Sequence, residues 1–366
     1  MAVQRKIAVV GAGVIGLSTA LYIKTNLRLD GIPCKIEVFS EHTTPHTTSD
    51  GAAGLWEPIF VQGTPGEQQS RWGGETFEWL RHLRVQEDAG EMGVAQYSGY
   101  NLFHEWVEDP PWKDVVIGFR YATEAELKDV KFPMRHGWHF TNMSAQANRY
   151  CGWLLKRCKQ QGIQFYRRKV LSLLEFAGWY DVVLNCTGLG SHQLTSDHDL
   201  IPLKGQIMKV SAPWIKDFTL VNGPDYVAYI LPCTDFVVLG GTTESGRWDS
   251  DIEESVSYNI LENCSKIMGS VKNAPILGQW SGLRPYRKTG VRLEREILQS
   301  KSSRAPLEVV HNYGHGGSGI TFHWGCACEA TSLAYQALGL PNSHHHDHDL
   351  LYKTISTPVD SSFCKL

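Results

Sequence analysis

The chain has 366 residues, of which 42% are hydrophobic and 20% charged, and a formal net charge of −3. That length accommodates two domains, each with a core, and the composition is ordinary for a globular protein rather than a disordered one. The slight negative charge gives no electrostatic reason for nucleic acid or an anionic membrane surface, and no apolar run reaches the ~18–20 residues of a membrane span.

Residues 6–10 read as a buried strand, Gly11-Ala12-Gly13-Val14-Ile15-Gly16 as a tight turn, 17–26 as a helix, and 34–39 as a second strand ending on Ser40-Glu41. Strand, glycine turn, helix and strand in this succession make a βαβ unit. In such a unit the first glycine makes the turn, the second lets a pyrophosphate approach the backbone, and the third packs helix on strand. The Glu41 carboxylate is then placed to accept hydrogen bonds from a ribose diol. The motif suits NAD and FAD alike. The run Thr47-Thr48-Ser49-Asp50-Gly51-Ala52-Ala53-Gly54-Leu55-Trp56 concentrates hydroxyls and small side chains that could cradle phosphates or run beneath a planar ring, a plain polar loop being the alternative.

The block 57–143 is rich in Trp, Gly and Pro without a sustained period, and reads as an inserted domain of short elements. Residues 150–162 have the apolar spacing of an amphipathic helix (Trp153, Leu154, Leu155, Cys158). Strands follow at 164–170 and 180–185, the latter running into Cys186-Thr187-Gly188-Leu189-Gly190 at the ligand edge of the sheet. Segments 203–210 and 237–242 read as strands of the insertion. Ser281-Gly282-Leu283-Arg284-Pro285-Tyr286-Arg287 holds Arg284 in a Gly/Pro-braced turn. A guanidinium there is a natural bidentate partner for a carboxylate, and a surface salt bridge is the alternative.

The sheet resumes at 308–311. His311-Asn312-Tyr313-Gly314-His315-Gly316-Gly317-Ser318-Gly319-Ile320-Thr321 then sets four glycines within six residues between aromatics and a helix expected at 324–338. Such a loop lets backbone pass close to a flat or phosphorylated group and turn free helix N–H groups toward it. Glycine loops near both ends of the chain suggest one long cofactor gripped from two sides. Residues 344–349 read as a solvated His/Asp tail, a metal role being the alternative. The nine cysteines are odd in number and lack a C-x-x-C pair, which points to reduced, mostly buried thiols in an intracellular compartment. The N-terminus enters the first strand without a signal-peptide pattern. Cys364-Lys365-Leu366 resembles the small-Lys-Leu address read by the peroxisomal import receptor.

Taken together, Val-Gly-Ala-Gly-Val-Ile-Gly-Leu-Ser-Thr-Ala at 10–20, Thr-Pro-His-Thr-Thr-Ser-Asp-Gly-Ala-Ala-Gly-Leu-Trp at 44–56, the segments 98–103, 205–207 and 282–285, and above all 311–325 resemble the D-amino-acid oxidase family, which includes the D-aspartate oxidases. The resemblance runs from about residue 7 to 338. It implies an α/β fold: a Rossmann-like FAD-binding domain (1–56, 144–192 and 283–340) interleaved with an α+β substrate-binding domain on a mostly antiparallel sheet (57–143 and 193–282), then a tail with a targeting signal (341–366). It implies non-covalent FAD, held by Gly11, Ala12, Gly13, Val14, Ile15, Gly16, Glu41, Thr47, Thr48, Ser49, Ala53, Gly54, Leu55, Val170, Thr187, Gly316, Gly317, Ser318, Gly319, Ile320 and Thr321, with Arg284 alongside. It also implies that Arg284 and the Tyr229 hydroxyl take the substrate carboxylate, that the Gly317 carbonyl accepts from the amine, and that Tyr226 belongs to a lid over residues 217–228. A hydride would pass from Cα to flavin N5 with no obligatory side-chain base, giving a 2-oxo acid, ammonia and, through O₂, peroxide. That product suits a peroxisomal location. No metal is called for, no partner is indicated beyond substrate, O₂ and the import receptor, and a homodimer is one option for the assembly.

Relatives that prefer aspartate carry extra arginines where this chain has Val221 and Thr243. Burying a second carboxylate without a partner is costly, so neutral or basic D-amino acids are favoured. Gly188-Leu189-Gly190-Ser191 and 282–287 lie closer to the aspartate branch, and Arg247 is a source of the missing charge, so D-aspartate oxidation is the alternative. Asp225 or Glu57 facing the pocket would repel acidic substrates further. An NAD(P)-linked dehydrogenase or a non-enzymatic dinucleotide-binding regulator would share the N-terminal fingerprint but leave the C-terminal glycine loop unexplained.

Overall fold

A computed structural model describes residues 4–299, 306–341 and 345–359. Six strands form the first sheet: β1 (Arg5–Val10), β2 (Cys34–Ser40), β6 (Gln164–Arg167), β7 (Val182–Asn185), β14 (Arg292–Leu298) and β15 (Leu307–Tyr313). They lie in the order β14-β15-β7-β1-β2-β6, parallel except for β14. β1 and β7 are buried on both faces, which is why Ile7–Val10 and Val182–Leu184 read as unbroken apolar runs. Helix α1 (Val14–Leu29) leaves the glycine turn directly after β1. The chain runs from β1 to β2 on one side while β7 joins β1 from the other, so a crevice opens beyond the carboxyl ends of β1 and β7.

The second sheet has nine strands: β3 (Val94–Phe103), β4 (Ile117–Tyr121), β5 (His136–Ala145), β8 (Leu200–Val210), β9 (Phe218–Asn222), β10 (Val227–Pro232), β11 (Val237–Gly240), β12 (Glu244–Ser245) and β13 (Ile276–Arg287). All its pairings are antiparallel except β3 with β9. β5 and β13 run through the boundaries expected at 143/144 and 282/283, because continuous strands carry the chain from this sheet into the cleft.

The insertion is not built only of short elements. It contains the 18-residue helix α2 (Gly66–Leu83) and the ten-residue strands β3 and β5. Gly73 and Gly74 blur the helical period of α2, yet Trp72, Phe77, Trp79 and Leu80 are buried along it. α2 packs on the helix Gly319–Ala337, which begins five residues before the expected start at 324. At that crossing the Trp79 and Trp324 rings stack at 4.0 Å, and the Gly325 amide donates to Thr76 Oγ1 at 3.1 Å.

The expected strand 164–170 stops at Arg167, and the expected lid at 217–228 is the hairpin β9–β10. The His/Asp tail is partly structured: His348–Ser356 is a helix with Leu351 and Ile355 buried, and His345 Nε2 lies 2.9 Å from Asp30. Its first residue, His344, and the targeting tripeptide at 364–366 lie outside the described residues. Among the described residues no group of three or more His, Cys, Asp or Glu side chains is disposed to hold a metal ion. The eight described cysteines are all free. Burial pushes their thiols up, to about 11 for Cys328 and about 12 for Cys186, Cys233 and Cys264.

Candidate active site

The crevice at β1 and β7 continues over one face of the second sheet as a single cleft of about 1220 Å³. That exceeds the roughly 300–1,000 Å³ of ordinary small-molecule sites. At one end lie the glycine turn, Glu41 and residues 168–171; at the other lie Tyr229, Trp280, Arg284 and the 315–320 loop.

The glycine turn is shaped by contact. Gly11 has φ +109°, and a Cβ there would overlap the Cys186 carbonyl, while one on Gly16 would overlap the Gly11 carbonyl. Larger residues would thus push α1 off the sheet. No side chain caps α1 from Gly13, and its first turn has no acidic residue. The Val14 amide donates to Ser49 Oγ at 3.0 Å, which ties the hydroxyl-rich run to the helix N-terminus. The remaining free amides and the helix dipole favour an anion.

A rank of paired residues crosses the second sheet. Asn101 pairs with Leu220, Leu220 with Tyr229, Tyr229 with Gly240, Gly240 with Ile207, and Ile207 with Trp280. Residues opposite one another share a face, and all of these but Gly240 line the cleft. A Cβ on Gly240 would overlap the Tyr229 ring, and one on Gly205 would overlap the Arg284 guanidinium. The two glycines therefore let these side chains lie flat on the sheet. Arg284 Nη1 donates to the Thr242 carbonyl at 3.1 Å, and the guanidinium sits 5.4 Å from the centre of the Phe60 ring. Burial raises the Tyr229 phenol, opposed by the charge of Arg284.

At the far end of this rank stands a buried polar chain. Asn222 Nδ2 donates to Asn101 Oδ1 at 2.6 Å, and Asn101 Nδ2 donates to Glu57 Oε1 at 2.6 Å. All three residues line the cleft. The Glu57 backbone is pinned by Thr321 Oγ1, which accepts from its amide at 3.1 Å and donates to its carbonyl at 2.9 Å. Ser318 Oγ likewise accepts from the Ile59 amide at 2.7 Å.

Most residues singled out from sequence line the cleft: Gly11–Ile15, Glu41, Thr47–Ser49, Ala53–Leu55, Val170, Thr187, Tyr229, Arg284, Gly316, Gly317, Gly319 and Ile320. Gly16, Ser318 and Thr321 stand behind the lining as packing and hydrogen-bonding supports. Tyr226 does not join it; its ring stacks on Phe132 at 4.7 Å, and Asn222 and Val227 face the cleft from that hairpin instead. Val221 is buried in the core on the other face, whereas its neighbours Leu220 and Asn222 line the cleft. Asp225 is exposed and Arg247 is held by Glu244, Asp249 and Glu253; neither lines the cleft, whereas Glu57 does. Sequence reasoning missed Asn101, Asn222 and Trp280. An Asn in alternation with Ala95, Tyr97, Gly99 and Phe103 on one face of β3 was the available signal for the first.

A family model described as FAD dependent oxidoreductase matches residues 6–333. Human D-aspartate oxidase is 41% identical over 336 residues, covering 91% of this chain and 95% of that protein. D-amino-acid oxidase of Rubrobacter xylanophilus is 37% identical over 338 residues, covering 92% and 98%. Glycine oxidase from Geobacillus kaustophilus shares the fold with a TM-score of 0.72 at 16% identity, covering 94% of this chain and 97% of that one. The chain belongs to the D-amino-acid oxidase family of FAD-dependent oxidoreductases. The cleft fits that cofactor: it joins a helix N-terminus with free amides to a second glycine loop, and two of its lining residues, Asn312 and His315, carry buried atoms (Oδ1 and Nε2) without a partner among the described residues.

Proposed function

We propose that the chain oxidises D-amino acids, with neutral or basic side chains preferred, to 2-oxo acids. The overall reaction consumes O₂ and water and releases ammonia and hydrogen peroxide. The observation that carries this is the Arg284–Tyr229 pair laid over Gly205 and Gly240 in the same cleft as the dinucleotide turn. In this reading Arg284 takes the substrate carboxylate bidentately with the Tyr229 hydroxyl beside it, and the Gly317 carbonyl accepts from the amine. Three fixed points then present one face of Cα, so orientation rather than a side-chain base is what the protein contributes. FAD, when bound, supplies the two-electron acceptor that dioxygen reoxidises. It would be held by Gly11–Gly16, Glu41, Thr47–Ser49, Ala53–Leu55, Val170, Thr187 and the 316–321 loop. The two sheets correspond to the cofactor-binding and substrate-binding domains of this reading.

The preference against acidic side chains is supported by the charges along the cleft. Among the described lining residues the Arg and Lys side chains are Arg168, Lys169 and Arg284, and the first two belong to the Glu41 end. A second substrate carboxylate would meet no Arg or Lys besides Arg284 among the described lining residues at the Tyr229 end. The similarity to human D-aspartate oxidase favours a second reading, oxidation of acidic D-amino acids. Peroxide release from a panel of D-Ala, D-Met, D-Lys, D-Arg, D-Asp and D-Glu separates them. Highest kcat/KM for D-Asp would overturn the preference, and no turnover of any member by the flavin-loaded protein would overturn the activity. Peroxide as product, together with Cys364-Lys365-Leu366, supports residence in peroxisomes through their import receptor. Fluorescent-protein fusions with and without the tripeptide test that.

A further inference from the structure

Glu57 is 7% exposed and lines the cleft, yet Asn101 is the side chain that donates to its carboxyl group, and only to Oε1. Oε2 takes no hydrogen bond from any described residue and stays open to the cleft. A mostly buried carboxylate with one acceptor oxygen open to a cleft is a natural partner for a cationic ligand group. The Asn222–Asn101–Glu57 chain has one polarity: Asn222 donates to Asn101, which spends its own amide on Glu57. The whole chain therefore orients an acceptor toward the cleft.

The rank across the sheet sets the spacing. Asn101 lies two strands from Tyr229, so their Cα atoms are roughly 10 Å apart at the usual strand separation, with the apolar Leu220 between them. An amino acid whose carboxylate sits at Arg284 and Tyr229 would lay methylenes over Leu220 and bring a terminal cation to Glu57. Short neutral side chains would leave Glu57 uncompleted. Acidic ones would place like charges together.

We infer that Glu57, oriented by Asn101 and Asn222, is the specificity residue of this site and binds the terminal cation of a long basic D-amino acid such as D-lysine, D-ornithine or D-arginine. This rests on reading the cleft as a D-amino-acid oxidase site. Burial raises the proton affinity of Glu57, and a cationic partner would draw it back down.

The test compares D-lysine with D-norleucine, which has the same stem without the ammonium, on the flavin-loaded wild-type protein. The kcat/KM ratio is expected to favour D-lysine by at least about tenfold, mainly through KM. A ratio of one or below, with D-norleucine oxidised, overturns the inference and leaves the oxidase reading standing. Oxidation of neither amino acid, nor of D-Ala or D-Met, overturns both. In Glu57→Gln the ratio should collapse at least about tenfold, and a ratio within about twofold of wild type overturns the assignment. Should that variant lose flavin or solubility, the wild-type ratio decides.

Discussion

Arg284 and Glu57 occupy opposite ends of one face, and their surroundings treat charge differently. Arg284 lies over a glycine with the Thr242 carbonyl accepting one of its N–H groups, which leaves the rest of its fork for a ligand. Removing it deprives a buried carboxylate of its partner, so Arg284→Ala should lower kcat/KM for D-amino acids roughly 100-fold or more. Initial peroxide rates read beside the visible flavin spectrum check this; loss of the flavin would make Arg284 a scaffold residue instead. Glu57 has the opposite problem. Burial outweighs the Asn101 hydrogen bond and pushes its carboxyl up to about 7 from the ordinary 4.5. Between those values the folded chain keeps a proton that the unfolded chain has released, so stability present below the lower value is lost as pH rises through the upper one. The melting temperature of Glu57→Gln should therefore gain on wild type between about pH 5 and about pH 8. An equal difference at both would mean that water reaches the carboxylate freely.

At the level of elements, the site depends on how α2 seats the helix Gly319–Ala337. The N-terminus of that helix presents the 315–320 loop, and its first turn pins Glu57 through Thr321. Trp79 is fully buried between the two helices, stacked on Trp324, with its indole N–H donating to Tyr150 at 2.9 Å. Trp79→Ala should cost about 3–5 kcal/mol, measurable as a lower urea midpoint at unchanged slope. The βαβ unit and the last strand and helix were legible in the sequence because burial on both faces leaves unbroken apolar runs, and because the glycines mark their junctions. α2 was not, since the paired glycines Gly73 and Gly74 beside Trp72 hide a period that only the partner helix explains. The strands of the hairpin β9–β10 were hidden because Asn-Gly-Pro-Asp at 222–225 reads as loop chemistry, while register across strands decides which of Leu220 and Val221 faces the cleft. Periodicity cannot supply that one-residue choice.

Across the whole molecule, the cleft is assembled from residues as distant in sequence as Val10 and Ile320, so neither sheet alone contains it. The strand order β3-β9-β10-β11-β8-β13 brings Asn101, Tyr229 and Trp280 into one rank only when every intervening pair has formed. The cysteines distributed through the same two layers have a consequence for endurance. Peroxide attacks thiolates rather than thiols, and burial keeps all eight described cysteines protonated in the neutral range. Peptide mass spectrometry after exposure to peroxide should find these eight unoxidised in the folded protein and oxidised once it is unfolded. A protein whose proposed turnover releases an oxidant beside its own core thus holds its most vulnerable sulfur in the form that reacts most slowly, and its working lifetime would be limited by unfolding rather than by its product.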